Sequence, residues 1–377
     1  MLDGKSVFIK GALPDEVVLV DVVEDKKNYL IAETKKVLEQ CSARVIPFCN
    51  FFNNCGGCHY QYIAYDKQIE IKEAILLDCL NRIAHLDFEL SEPIFGTPIR
   101  YRIKAIFKKN NDKIGFYRAK TRDIVDIDDC LIVKEEIIDG KKFAKEITKE
   151  ITEAEIEIVS FLDTIISIKS NSGVVKSYLL DNKKETYKPS SLKNNKYIEL
   201  QLLNLQYMVS PFSFFQTNWK LNNIVVKQII ETLDFRGKDL IDLYAGSGNF
   251  CLPLSKYVKS VIAYEEDKNA FRSALINAKI NKIDNCRFVH SRVEDIKIDK
   301  RPDVLIINPP RTGITNRAME NIIKLKAKEV IYMSCDPSTF ARDIGKLKKF
   351  YHIESIRLID FFPQTFHIES LATMKAL

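Results

Sequence analysis

The chain has 377 residues, 46% hydrophobic and 29% charged, with a net charge of +6. This balance excludes a disordered or fibrous polypeptide, allows two or three domains with a large buried core, and suits a polyanionic partner. No apolar run reaches the roughly 18 residues that span a bilayer, and the start MLDGKSVFIKG lacks the basic and apolar layout of a leader, which predicts a cytoplasmic protein without membrane contact.

Residues 1–41 alternate apolar and polar side chains in VFIKG, EVVLVDVVED and YLIAETKKVLE, which predicts short antiparallel strands in a small barrel-like piece. From Cys41 to Cys58 the alternation breaks into a cysteine-rich loop. The chain carries nine cysteines, and in a reducing compartment they point to metal binding, nucleophilic chemistry or burial rather than disulfides. Residues 65–86 then place apolar side chains at helical spacing, on a helix able to pack against the carboxyl-terminal domain. A mostly β central region follows within 42–210, with strands such as IRYRIKAIFKK, KIGFYRA, DIVDI, TIISIKS and YMVSPFSFF and a lysine-rich helix near 134–152. Residues 211–377 alternate short apolar strands with helical stretches, the pattern of βαβ units in a Rossmann-like parallel sheet. The expected fold class is therefore α/β.

In that last region KDLIDLYAGSGNF runs an apolar strand into Gly246 and Gly248, with a helix predicted from about Asn249. Glycines let the backbone approach a ligand, and the turn lacks both the third glycine of a dinucleotide site and the Gly-Lys-Ser/Thr of a phosphate loop. Asp242 precedes the turn and can hold an ammonium group. Glu265, about twenty residues on at the end of SVIAYEE, can accept hydrogen bonds from a ribose. An ammonium and a ribose without phosphate describe S-adenosylmethionine.

DVLIINPPRTG ends another buried strand in Asn308, Pro309, Pro310 and Arg311, at the edge where open α/β sheets bind ligands. An aromatic after the prolines would point to amine methylation on a stacked base; Arg311 stands there instead. EVIYMSCDPSTF brings Cys335 to the same edge before a helix from Pro337, a setting expected to lower a thiol pKa. FFPQTFHIESLATMKAL carries Glu369 into a final strand as a candidate general base. Carbon 5 of uracil becomes nucleophilic once a thiolate adds to carbon 6, and a base must then remove the carbon 5 proton. Cys335 and Glu369 fit those two roles.

With FFQTN (214–218), DLYAGSGNF (242–250), NPPRTG (308–313), SCDP (334–337) and FFPQTFHIES (361–370), the chain resembles the uracil-5 RNA methyltransferases, which make 5-methyluridine in ribosomal and transfer RNA. The resemblance implies a class I methyltransferase domain over 211–377. It makes Gln216, Tyr244, Asn249, Glu265 and Asn308 cofactor-site residues, Cys335 the nucleophile and Glu369 the base. The first third is similar to the ribosomal branch: GKSVFIKGALPDEVV resembles its TRAM barrel, entered after the first strand, and CNFFNNCGGCHYQ resembles its iron-sulfur loop. Cys49, Cys55, Cys58 and Cys130 would then ligate a 4Fe-4S cluster, with a four-thiolate zinc site as the alternative.

The implied substrate is 23S ribosomal RNA, handled by a monomer with no obligate protein partner. The rivals are a transfer-RNA enzyme and a non-catalytic RNA-binding or iron-sulfur protein. Asn308 stands where aspartate is more frequent in the family, Arg292 where a polar or acidic side chain meets adenine, and Gln364 where histidine is common. Phe212, Phe214 and Phe215 are candidate pocket walls but are expected in the core. Cys41, Cys79, Cys251 and Cys286 are expected to be ordinary free thiols.

Overall fold

A computed structural model describes residues 4–181, 186–189, 197–297 and 301–377. Strands β1 (Ser6–Lys10), β2 (Val17–Asp25) and β3 (Tyr29–Glu39) form an open sheet in the order β1-β3-β2. The expected antiparallel arrangement holds for β2 and β3, but β1 runs parallel to β3. The crossing from β1 to β3 passes through β2, a relation that alternation along each strand does not encode.

Helix α1 (Tyr65–Ala84) ends at His85 in a left-handed conformation, and β4 (Ser91–Ile94) follows. The central sheet holds β5 (Lys104–Asn110), β6 (Lys113–Tyr117), β7 (Ile124–Asp126), β8 (Glu153–Ser160), β9 (Thr164–Ser170), β10 (Val175–Asp181) and β11 (Thr186–Pro189), with helix α2 (Glu135–Ile147) between β7 and β8. Its core includes Phe107, Ile114, Ile137, Ile156 and Ile158. The hairpin β12 (Ile198–Leu202) and β13 (Leu205–Val209) then packs Leu200 and Tyr207 into the next core.

Helix α3 (Trp219–Thr232), capped by the Asn218 side chain, leads into β14 (Asp239–Leu243), α4 (Cys251–Leu254), β15 (Ser260–Glu265), α5 (Lys268–Ile280), β16 (Cys286–His290), β17 (Val304–Ile307), α6 (Asn316–Leu325), β18 (Glu329–Ser334), α7 (Pro337–Leu347), β19 (Tyr351–Ile359) and β20 (Glu369–Ala376). The sheet order is β16-β15-β14-β17-β18-β20-β19-β4, parallel from β16 to β18 and antiparallel at β20. This is the doubly wound, Rossmann-like arrangement expected for the last region. All four residues of β17 are buried, as a parallel strand covered on both faces requires.

Two features depart from the predicted pattern. The helix expected from Asn249 is one turn at Cys251–Leu254, because Pro253 cannot donate to a longer ladder. Residues 91–94, read with the central region, pair in parallel with β19 at the edge of the eight-stranded sheet. Helix α1 lies against the same body, with Leu76, Leu80 and Ala84 in one core with Phe340 and Ile344 of α7. Among the described residues, no helix is long and apolar enough to cross a membrane.

Candidate active site

Order reverses at β14, flanked by β15 and β17, so the strand ends there open a crevice. The turn after β14 needs positive φ at Tyr244 (62°), Gly246 (58°) and Gly248 (95°). A Cβ on Gly248 would stand 2.5 Å from Leu252 Cδ1, whereas one on Gly246 would meet nothing within 4 Å. Gly246 therefore leaves open space at the strand end. The turn is held from behind, where Tyr207 Oη donates to the Gly248 carbonyl at 3.0 Å and Asn277 Nδ2 to the Ser247 carbonyl at 3.1 Å.

Asp242 accepts from the Cys251 amide at 3.1 Å through Oδ2, while its buried Oδ1 has no partner. Burial pushes its carboxyl up to about 7. Glu265 accepts 2.7 Å bonds from the amides of Gly246 and Asp267, and burial still raises its pKa. The Asn308 amide donates to the Leu243 carbonyl at 3.3 Å, which sets that residue beside the turn. Tyr244 is half-buried at the same point. Asn249 exchanges two amide hydrogen bonds with Asn222 of α3, at 2.7 and 3.1 Å, so its side chain braces the turn. Arg292 is exposed and faces Glu266 and Glu294.

Two strands over from β14, Ser334 of β18 pairs with Ser370 of β20 in antiparallel register. The residue following β18, Cys335, and the first residue of β20, Glu369, therefore meet at the same sheet edge. Glu369 is only 3% exposed, and its Oε2 has no hydrogen-bond partner. Burial raises its pKa to about 7, against a hydrogen bond with the Gln216 side chain and the positive charge of Arg311. Burial and the neighbouring Glu369 raise the Cys335 thiol, while Arg311 opposes them.

That direction reverses the lowered thiol pKa expected from a helix amino terminus. The main reason is burial, with the Glu369 carboxylate second; Asp336, which caps α7 by accepting from the Thr339 amide at 2.8 Å, adds a smaller negative charge beside the thiol. Arg311, read from sequence only as a missing aromatic, is the cation that favours the charged form of both groups. Phe215 is buried as expected, but Phe214 is 74% exposed, contrary to the core assignment.

A family model for tRNA (uracil-5-)-methyltransferase matches residues 191–376. An RNA methyltransferase of Aquifex aeolicus without assigned specificity is 31% identical over 99% of this chain and 94% of its own length. The chain belongs to the RNA uracil-5-methyltransferase family. A 23S rRNA (uracil(1939)-C(5))-methyltransferase of Shewanella halifaxensis is also 31% identical, over 98% of this chain and 91% of that protein. The Pyrococcus abyssi tRNA (uracil-54, C5)-methyltransferase, solved with S-adenosyl-L-homocysteine, is 24% identical and shares the fold with a TM-score of 0.77 over 98% of this chain and 95% of that one. As a uracil-5-methyltransferase, the protein takes its methyl group from S-adenosylmethionine.

The four cysteines singled out in sequence, Cys49, Cys55, Cys58 and Cys130, line one cavity of about 250 Å³ together with Phe51, Phe52 and Phe116. Burial raises the thiols of Cys55 and Cys130 and pushes Cys58 up to about 12. Among the described residues, no three His, Cys, Asp or Glu side chains converge closely enough to hold a metal ion. Of the four thiols expected to be ordinary, Cys251 and Cys286 are in side-chain contact, with Cys251 fully buried. Sequence reading missed Gln68, Lys72 and Asp360, all buried beneath the loop that precedes Glu369. For Gln68 and Lys72 the signal was polar residues on the inner stripe of an amphipathic helix.

Proposed function

We propose that this methyltransferase modifies carbon 5 of a uridine in 23S ribosomal RNA through a covalent Cys335 adduct, with Glu369 as the base. The observation that carries this reading is the meeting of a thiol and an unpartnered buried carboxylate at paired strand ends. After losing its proton, Cys335 forms a bond to carbon 6, and the carbon 5–carbon 6 π electrons become an enolate. Bound S-adenosylmethionine supplies the methyl group that carbon 5 takes up. Glu369 then accepts the carbon 5 proton, and the returning electron pair breaks the carbon 6–sulfur bond to free 5-methyluridine. Arg311 favours thiolate and carboxylate alike. The low polarity that raises Glu369 strengthens it as a proton acceptor.

The cofactor fits the crevice on two counts, the open space in front of Gly246 and the orphaned Oδ1 of Asp242, which suits an ammonium group. Glu265 would hold the ribose hydroxyls, and Gln216, Tyr244, Asn249 and Asn308 would complete the wall. Cys49, Cys55, Cys58 and Cys130 would hold a 4Fe-4S cluster, whose thiolates stand farther apart than the ~3.8 Å that four sulfurs keep around one zinc at 2.3 Å. The cavity that all four thiols line is the observation that supports the cluster reading. Such a cluster would tie the 49–58 loop to Cys130.

Ribosomal RNA is favoured by the Shewanella relative and by the four-cysteine set; transfer RNA is favoured by the description of the matching family. Incubation of the monomeric protein with S-adenosylmethionine and either 23S ribosomal RNA or a transfer-RNA transcript, followed by 5-methyluridine mapping, separates them. The expected product is one modified uridine in the ribosomal RNA. Modification of the transfer RNA alone would reverse the assignment.

A further inference from the structure

Residues 360–368 connect β19 to β20 without helix or strand and deliver Glu369. Glu369 has no partner on Oε2, so its position is set by Gln216 and by the backbone of this loop. Within the loop Thr365 Oγ1 donates to the Phe362 carbonyl at 2.8 Å, and Tyr101 Oη donates to the Pro363 carbonyl at 3.0 Å, yet Gln364 takes a φ of 68°, a left-handed conformation that a side chain disfavours.

The side-chain restraint on Asp360, Phe362 and Gln364 comes from α1. Tyr65, Gln68 and Lys72 are spaced three and four residues apart, which puts them on one helix face. Tyr65 Oη donates to Asp360 Oδ2 at 2.9 Å, and Lys72 Nζ donates to Asp360 Oδ1 at 2.7 Å and to the Phe362 carbonyl at 3.1 Å. Gln68 Nε2 donates to Gln364 Oε1, and Gln68 Oε1 accepts from the Gln364 amide, both at 3.0 Å. The Gln364 carbonyl in turn accepts from the amides of His59 and Tyr60, the two residues after Cys58, at 2.8 and 3.0 Å.

The Lys72 and Asp360 side chains are fully buried. A buried ion pair contributes little net stability, and well-packed apolar residues of similar volume serve as well or better. Further along the same helix, Leu76 and Leu80 do the packing. A polar stripe at the one stretch that faces the loop fixes position through directional bonds, which apolar contacts do not.

We propose that Gln68, Lys72 and Asp360 are positioning residues that set the loop so that Glu369 meets the carbon 5 proton of the adduct. This rests on the covalent reading above. The step affected is breakage of the carbon 5–hydrogen bond with transfer of the proton to Glu369, followed by expulsion of the Cys335 thiolate; the earlier bonds to carbon 6 and to the methyl group are made without the loop. Displacement of a reacting group by about 1 Å costs up to about 100-fold in rate.

The test uses the full chain with S-adenosylmethionine and substrate RNA, and follows the covalent protein–RNA adduct by denaturing gel alongside 5-methyluridine release. Two variants are compared: Gln68→Leu, and Lys72→Met combined with Asp360→Leu, which replaces the ion pair by apolar side chains and keeps the protein folded. In both, adduct formation stays within a few-fold of wild type while its decay slows by about 10- to 100-fold, so that adduct accumulates. Glu369→Gln serves as the reference for a stalled adduct. Wild-type adduct decay in folded variants overturns the positioning role. So does a loss of formation and decay in proportion to unfolded protein, which marks a purely structural one. If Glu369→Gln itself accumulates no adduct, the covalent reading fails and this inference falls with it.

Discussion

The carboxyl edge of the eight-stranded sheet and the cysteine cavity are built in different ways. At the edge, strand register and two tight turns bring Cys335, Glu369, Asp242 and Glu265 to their places, with the loop before Glu369 braced by α1. At the cavity, Cys49, Cys55 and Cys58 sit on consecutive turns and Cys130 comes from the far side of β7, leaving a space walled by thiols and phenyl rings. The first site is preorganised by the fold; on the cluster proposal, the second would be organised around the group its thiols hold. Function at the edge should therefore respond to single side chains, and the cavity should respond as a unit.

The largest contrast is in catalysis. Cys335→Ala removes the thiol proposed to add to carbon 6 and is expected to lower single-turnover methylation by at least ~10⁴-fold with folding unchanged. Residual methylation within 100-fold of wild type would break the distinction, because the edge would then not depend on its nucleophile.

Next in size is the buried carboxyl. Glu369 titrates at about 7 against 4.5 in an unfolded chain, so the native state holds the proton more tightly. Its contribution to stability is complete below pH 4.5 and is lost as pH rises through 7. Glu369→Gln avoids that loss. Relative to wild type it should gain about 3 kcal/mol of unfolding free energy between pH 4 and pH 8, at roughly 1.4 kcal/mol per pKa unit. Denaturant unfolding at the two pH values measures it, and a pH-independent difference would mean that the carboxyl is not desolvated.

At the cavity, Cys58→Ser should remove bound iron altogether, not a quarter of it, and lower the thermal midpoint while leaving S-adenosylhomocysteine affinity within about 3-fold. Iron analysis and calorimetric binding sharpen the comparison. Retention of most of the iron would show that the four thiols do not act together.

Much of the edge was legible in sequence because its residues end apolar strands, and a strand end in a parallel sheet is a place as well as a pattern. Asp242, Glu265, Asn308 and Cys335 follow that rule, whereas Glu369 opens an antiparallel strand. Pairings between distant segments were not legible: β1 alongside β3, and β4 on β19, depend on topology that alternation does not record. The direction of the Cys335 pKa was also hidden, since it depends on the burial of the thiol and on Glu369 arriving from β20. The partners of Gln68 and Lys72, Gln364 and Asp360, lie almost three hundred residues away and were not legible from the helix pattern.

The central claim is that Cys335 and Glu369 act on one pyrimidine. Glu369→Gln protein incubated with S-adenosylmethionine and substrate RNA, digested and analysed by mass spectrometry, tests it most directly. A Cys335 peptide carrying a methylated uridine is the predicted product. Recovery of unmodified Cys335 with free 5-methyluridine, or a nucleotide attached to another residue, would contradict it.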